Sequence, residues 1–209
     1  MKILNLYACI GGNRKKWGDD HEITAVEIDQ KIADVYKKYF QNDRVIVGDA
    51  HQYLLDHYNE FDVIWGSPPC PSHSRARFWG LGNGTVSPVY PDMKLYQEII
   101  FLKHHFKGRW VIENVIPYYD PLISDYKKVG RHLIWSNFPI GNFEPKSFNK
   151  DDYKKMAEEY GYNLDDLDFP RKDRLLRNLV HPDYGKYILN CALNIITKSN
   201  VEQTSLFET

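Results

Sequence analysis

Three cysteines, Cys9, Cys70 and Cys191, lie far apart along the chain. An odd count at such spacing suggests neither a disulfide framework nor a zinc site, so each thiol needs its own explanation. Cys191 has apolar neighbours and reads as core. Cys70 sits in Gly66-Ser67-Pro68-Pro69-Cys70-Pro71-Ser72-His73-Ser74, where a thiol between prolines is either a small buried hydrophobe or a reactive group. Upstream, Ala8-Cys9-Ile10-Gly11-Gly12 is a small-residue turn that lets backbone approach a ligand closely. Glu27 and Asp49 each follow a further apolar run. A carboxylate one strand over from a glycine-bearing turn is placed for ribose hydroxyls, and Asp49 could accept from an adenine amino group. Both could equally be helix caps. Alone, this set indicates a nucleoside-containing cofactor.

These residues act together only if one edge of a fold collects them. In an open parallel sheet, ligands sit outside the carboxyl ends of the strands. Apolar β-rich runs at Ile3 to Tyr7, Ile23 to Val26, Val45 to Val47, Val63 to Trp65 and Trp110 to Ile112 alternate with amphipathic stretches. That alternation predicts an α/β fold with a mostly parallel central sheet flanked by helices. Helical spacing is clearest over Gln30 to Phe40 and Asp92 to Phe106. Between Pro69 and Pro91, Gly80, Gly82 and Gly84 occur without periodicity, which predicts a mobile surface loop. Residues 136–171 are polar and irregular apart from a short helix near Asp151 to Tyr160, and are the room for a specificity insert. Tyr187 to Ile196 predicts a last strand or helix, and the polar tail after Ser199 is expected to be disordered.

The chain has 209 residues, 43% of them hydrophobic and 26% charged. That fits one globular domain, expected over 1–199 with a tail at 200–209, able to bury roughly 70% of its unfolded surface. No apolar run approaches the ~18 residues of a membrane span, and the start lacks the pattern of a secretory signal, so a cytoplasmic protein is expected. A net charge of -1 argues against non-specific coating of nucleic acid. Arg14-Lys15-Lys16 and the cluster Arg171, Lys172, Arg174 and Arg177 are either local basic faces or ordinary solvated charges.

Two stretches carry a family resemblance: the Pro68-Pro69-Cys70 turn, and Trp110-Val111-Ile112-Glu113-Asn114-Val115. Together they resemble the DNA cytosine-5 methyltransferases, whose nucleophile lies in a Pro-Pro-Cys turn and whose acid lies in a Glu-Asn-Val strand end. The first cofactor motif is matched by Leu6-Tyr7-Ala8-Cys9-Ile10-Gly11-Gly12, the second by Val26-Glu27-Ile28-Asp29 and the third by Gly48-Asp49-Ala50. Arg177-Asn178-Leu179-Val180-His181-Pro182 resembles the final motif, which folds back to complete the cofactor pocket. Order and spacing fit over most of the chain.

The resemblance implies a Rossmann-like fold, S-adenosyl-L-methionine as cofactor and double-stranded DNA as partner, with no metal. Cys70 would attack carbon 6 of cytosine and turn an unreactive ring into an enamine that accepts a methyl group at carbon 5. A free thiol has a pKa of ~8.5, so nearby backbone donors or a cation such as Arg75 or Arg131 should favour the thiolate. Glu113 would hold the cytosine edge and donate a proton to N3. Cofactor contacts would come from Tyr7, Cys9, Ile10, Gly11, Gly12, Glu27, Ile28, Asp49, Ala50, Pro69, Asn178 and Leu179. Ser74, Arg75, Arg77 and Asn114 would face DNA, with Asn114 also fixing its loop, and Arg131 would contact the flipped base. His73 and His132 receive no catalytic role.

Cys9 stands where the family usually has glycine, Pro71 where it has glutamine, and the segment left for target recognition is short. A methyltransferase acting on RNA or a free cytosine nucleotide, or a non-catalytic module of the same fold, therefore remain alternatives. The tail residues Gln203, Leu206 and Phe207 resemble a peptide that docks on the bacterial sliding clamp, which would tether a weak DNA binder.

Overall fold

A computed structural model of the chain describes residues 1–144 and 152–194. The clamp-like residues Gln203, Leu206 and Phe207, and residues 145–151 of the expected insert, lie outside the described residues. Strands β1 (Lys2–Leu6), β2 (Glu22–Glu27), β3 (Arg44–Val47), β4 (Val63–Gly66), β5 (Arg109–Val115), β6 (Lys127–Val129) and β7 (His132–Ser136) form one sheet in the order β3-β2-β1-β4-β5-β7-β6. β1 to β5 run parallel, and β7 and β6 close the edge antiparallel. The order reverses between β1 and β4, so a crevice opens at the carboxyl ends of these two strands.

The helices are α1 (Gln30–Tyr39), α2 (Ala50–His57), α3 (Arg75–Gly82), α4 (Lys94–His105), α5 (Tyr153–Tyr160), α6 (Lys172–Arg177) and α7 (Pro182–Ala192). Side chains alternate across each strand, so both faces of a parallel sheet must be covered. Leu4, Leu6, Ile64 and Ile112 pack with Leu54 of α2 and Leu95, Ile99 and Leu102 of α4. On the opposite face Ile3, Val63, Trp65 and Val111 pack with Tyr184, Ile188 and Leu189 of α7. Cys191 lies against this second cluster, as a core residue should.

The five expected strands are present, and the ambiguous segment from Tyr187 belongs to the helix α7, whose start is set by Pro182 in its first turn. The segment after Cys70 departs from expectation, because residues 75–82 form helix α3. Ser74 caps it, accepting from the Ala76 amide at 3.2 Å. None of its residues is buried, so no apolar stripe exists for a periodicity search to find. β6 and β7 were not expected either.

Arg14 corrects the reading of Arg14-Lys15-Lys16 as one exposed basic run. It is buried, its guanidinium reaching both Asp43 oxygens at 2.9 and 3.0 Å, and Tyr36 donates to the same carboxylate at 2.7 Å. Removing one member of such a buried pair strands the other charge, so Asp43→Ala should cost about 3–5 kcal/mol in urea unfolding. An apolar double replacement, Arg14→Met with Asp43→Leu, should cost clearly less. Equal losses would mean that the pair's charge is not what the core requires.

Candidate active site

β4 and β5 are neighbours in parallel register, with Gly66 opposite Ile112. A Cβ at Gly66 would stand 2.5 Å from Ile112 Cδ1, the far end of a side chain that would have to turn aside. Both chains then turn out at the same edge, β4 into Pro68-Pro69-Cys70 and β5 through Glu113 and Asn114. Asn114 is buried, and its Nδ2 donates to the Pro68 carbonyl at 2.9 Å while its Oδ1 accepts from the Val115 amide at 2.9 Å. With its amide turned inward, Asn114 is a tie between the two loops; the expectation that it touches DNA gives way to that role. The chain beyond Cys70 is pinned as well. The Cys70 carbonyl accepts from the His73 and Ser74 amides at 3.0 Å each, and Tyr118 donates its amide to the His73 carbonyl at 3.1 Å.

Cys70 and Glu113 thus sit within electrostatic reach of each other. Burial pushes the Cys70 thiol up, and the Glu113 carboxylate pushes the same way. Its own backbone hydrogen bond and the charges of Arg131 and Arg174 pull it down, without offsetting the rise. The turn and Arg131 do favour the thiolate as expected, but burial and Glu113 outweigh them, and Arg75 is not among the charges that act on the sulfur. The Arg75 Nε donates to the Pro117 carbonyl at 3.2 Å, and Arg77 donates to the Ser87 carbonyl at 2.7 Å. The cations acting on the thiol are Arg131 and Arg174.

Arg131 occupies the turn between β6 and β7, and its carbonyl accepts from the Ile116 amide at 3.1 Å, just past the end of β5. Its guanidinium donates to the Arg177 carbonyl and so links this turn to the C-terminal segment. That segment reaches the first cofactor turn too, since a Cβ on Gly12 would meet Leu179 Cβ and the Val180 carbonyl at 2.7 Å each. Within the basic cluster, Arg171 pairs with Asp173 at 3.0 Å and Arg177 with the same carboxylate. Lys172 donates to the Leu164 carbonyl at 2.7 Å.

Beyond β1, which neighbours β4, residues 7–12 form a tight turn with positive φ at Tyr7 (56°), Cys9 (49°) and Gly11 (84°). Glu27 fixes it, accepting from the Cys9 amide at 2.9 Å and from the Ile28 and Asp29 amides at 2.9 and 3.0 Å. Burial and the Glu27 charge push the Cys9 thiol up to about 12. Ile28 follows as a largely exposed apolar side chain, and nothing stands within 4 Å of an added Cβ at Gly48. Asp49 does cap α2, as its alternative reading held, accepting from the His51 amide at 2.9 Å, and its other oxygen lies 3.3 Å from Lys94 Nζ. The exposed Ile28 side chain and the open space over Gly48, with the Glu27 and Asp49 carboxylates at the ends of β2 and β3, leave room for an adenosyl group.

A buried network escaped the sequence reading. Glu98 is enclosed, accepts from the Tyr7 hydroxyl and lies 2.8 Å from His51 Nδ1. Burial raises its pKa, and its carboxylate raises that of His51. The signal was available, since Glu98 falls on the apolar stripe of α4 between Leu95, Ile99 and Leu102. His73 is buried, its Nδ1 sharing a hydrogen bond with the Tyr119 hydroxyl, and burial lowers the pKa of His132.

A family model for the C-5 cytosine-specific DNA methylases matches residues 1–115, more than half of the chain. The chain belongs to that family. Its cofactor is S-adenosylmethionine, and it is a methyltransferase dependent on that compound. Solved structures similar to the chain include a mutant of DNMT2 from Spodoptera frugiperda, at 21% identity and a TM-score of 0.46, covering 69% of this chain and 53% of that one. The methyltransferase EhMeth of Entamoeba histolytica matches at 12% identity with a TM-score of 0.43, covering 73% and 59%. A protein described as a prophage-encoded DNA modification methyltransferase of Escherichia coli matches at 18% with a TM-score of 0.44, covering 75% and 54%. The chain spans about half the length of the first and third. A comparison with curated proteins returns no match. No helix among the described residues is long and apolar enough to cross a membrane.

A raised thiol pKa has a direct chemical signature. Alkylation of Cys70 by iodoacetamide should be slow at neutral pH, climb about tenfold per pH unit and still be rising at pH 9. Arg131→Ala should slow it further at each pH. Alkylation that levels off near pH 7 would contradict the electrostatics of the site.

Proposed function

We propose that the chain methylates carbon 5 of cytosine in DNA through a covalent bond between Cys70 and the base. The observation that carries the reading is the Asn114 tie to Pro68, which holds a thiol and a carboxyl group at one sheet edge beside a cofactor-shaped turn. S-adenosylmethionine supplies an electrophilic methyl group on its sulfonium sulfur. Tyr7, Cys9, Ile10, Gly11 and Gly12 would line its methionine end, and Glu27 the ribose. Ile28, Asp49 and Ala50 would meet the adenine, with Pro69, Asn178 and Leu179 completing the wall.

In the reaction Cys70 Sγ adds to carbon 6 and the ring electrons shift towards carbon 5, making that carbon nucleophilic. Negative charge builds on N3, and protonated Glu113 donates a proton there. Once carbon 5 carries the methyl group and the donor has left as its neutral thioether, loss of the carbon 5 hydrogen as a proton to water and return of the N3 proton to Glu113 let the Cys70–carbon 6 bond break and restore the aromatic ring and the free sulfur. Because the resting thiol is held up by burial and by the Glu113 carboxylate, uptake of a proton by Glu113 before the attack removes one of the two influences opposing thiolate formation and supplies the proton that N3 then receives. Arg131 and Arg174 then act on the sulfur with less opposition.

DNA, RNA and nucleotide substrates are separated by transfer of a radiolabelled methyl group to plasmid DNA, transfer RNA and dCTP in parallel, followed by bisulfite mapping of the product. DNA should be labelled at cytosine. Glu113→Gln, which cannot donate a carboxyl proton, should lower kcat by about 10²- to 10⁴-fold with little change in cofactor binding. Labelling confined to transfer RNA or dCTP would overturn the DNA assignment, and an unimpaired Glu113→Gln would remove the proposed acid.

A further inference from the structure

Helix α3 begins five residues after Cys70 and buries no side chain of its own. A helix this short and unburied is held here at its N-terminal end, by the Ser74 cap and by the bridge between Ser74 and Pro117. Its exposed groups are nevertheless large and aromatic. Phe78 is 58% and Trp79 70% exposed, and they share a helix face with exposed Arg75 at spacings of three and four residues. Phe78 stacks on half-exposed Tyr118 with ring centroids 6.0 Å apart and planes 17° from parallel. Tyr118 in turn meets Tyr119 edge-on at 5.1 Å, and Tyr119 shares a hydrogen bond with His73 in the turn that carries the nucleophile. Tyr90, at 95% exposure, ends the same segment.

Ordinary folding gives no reason to expose two adjacent aromatics on a polar-contact helix, since each loses apolar burial worth having elsewhere. The charge pattern narrows the occupant. From Cys70 to Pro91 the chain has two arginines, Arg75 and Arg77, and no acidic residue. Arg131 and Arg174 add positive charge at the thiol itself. Flat π-faces interleaved with cations suit single-stranded nucleic acid, whose bases stack on aromatic rings while its phosphates meet the arginines. Paired bases in a duplex offer no free faces to such a platform.

We propose that Phe78 and Trp79, with Tyr118 behind them, form a stacking platform for unpaired bases flanking the target cytosine. The chain would thereby act by preference on cytosines in unpaired stretches of DNA. This rests on the reaction proposed above and adds to it the class of DNA that the site accepts. An unpaired target also removes the cost of extruding a base from a duplex, which a chain with so short a recognition segment has few contacts to offset.

The test uses the full chain and a short fluorescent oligodeoxynucleotide with one cytosine. The oligodeoxynucleotide is presented single-stranded, in a matched duplex and in a mismatched bubble, with single-stranded RNA of the same sequence as a fourth arm. Binding is read by anisotropy and methyl transfer by radiolabel. The single-stranded and bubble forms should bind about tenfold more tightly than the matched duplex. Phe78→Ala with Trp79→Ala should erase that difference, whereas Trp79→Phe should keep most of it. Both aromatics are exposed, so unchanged far-UV circular dichroism should show that the variants fold. Equal binding of matched duplex and single strand, or a double alanine variant that binds single strands as before, would overturn the platform. Tighter binding of the RNA would overturn its assignment to DNA. Methyl transfer to duplex without any single-strand preference leaves the cytosine reaction standing and removes the platform. A single-strand preference that depends on Trp79, with no transfer to any nucleic acid, upholds the platform and sinks the reaction.

Discussion

From a place that solvent scarcely reaches, Asn114 hands its amide hydrogen to the Pro68 carbonyl across the gap between two strand ends. Backbone carbonyls in a proline-rich turn have few partners, because proline supplies no N–H and cannot continue a sheet ladder. Without Asn114 the Pro68 carbonyl would be buried and unpaired, at a cost of about 1–3 kcal/mol. With it, the turn bearing Cys70 moves with the strand bearing Glu113. The electrostatics of the site follow from that tie: the carboxylate helps raise the thiol's pKa.

The rest of the fold converges on the same edge by longer routes. The C-terminal segment returns across the sheet so that Leu179 fills the space that Gly12 leaves, while the Arg177 carbonyl receives Arg131. The antiparallel pair β6 and β7 places Arg131, in the turn between them, beside the end of β5. Glu27 uses its carboxylate to hold the turn at residues 7–12 in its left-handed geometry, so the backbone proposed to face the cofactor is shaped before any ligand arrives. Such shaping limits the entropy lost on binding.

How much of this could be read from the chain differs by element. The parallel strands were legible because strands covered on both faces are continuous apolar runs, and Cys70, Glu113, Glu27 and Asp49 could be placed because each follows such a run. The hairpin of β6 and β7 was not: β6 is only three residues long and carries two lysines, and without it the apolar run Leu133-Ile134-Trp135 of β7 has no partner strand in the pattern. Helix α3 was hidden for a different reason. Helical periodicity records burial, and a helix that buries nothing has none. The electrostatic errors share one cause: sequence distance is a poor guide to which charge faces which group. Arg75 is five residues from Cys70 yet bonds to Pro117, whereas Arg174, about a hundred residues on, acts on the thiol. Glu98 was visible as a carboxyl group on an apolar helix stripe, and only its partners Tyr7 and His51 required the fold.

The central claim is that Cys70 bonds to the base while Glu113 supports the ring. It is tested most directly by incubating the protein and S-adenosylmethionine with DNA containing 5-fluorocytosine, where loss of the carbon 5 substituent is blocked, and mapping the product by mass spectrometry. The account predicts a stable protein–DNA adduct whose added mass resides on the peptide containing Cys70. DNA methylated by the same preparation with no adduct on the fluorinated substrate, or an adduct on Cys9 or Cys191, would contradict it.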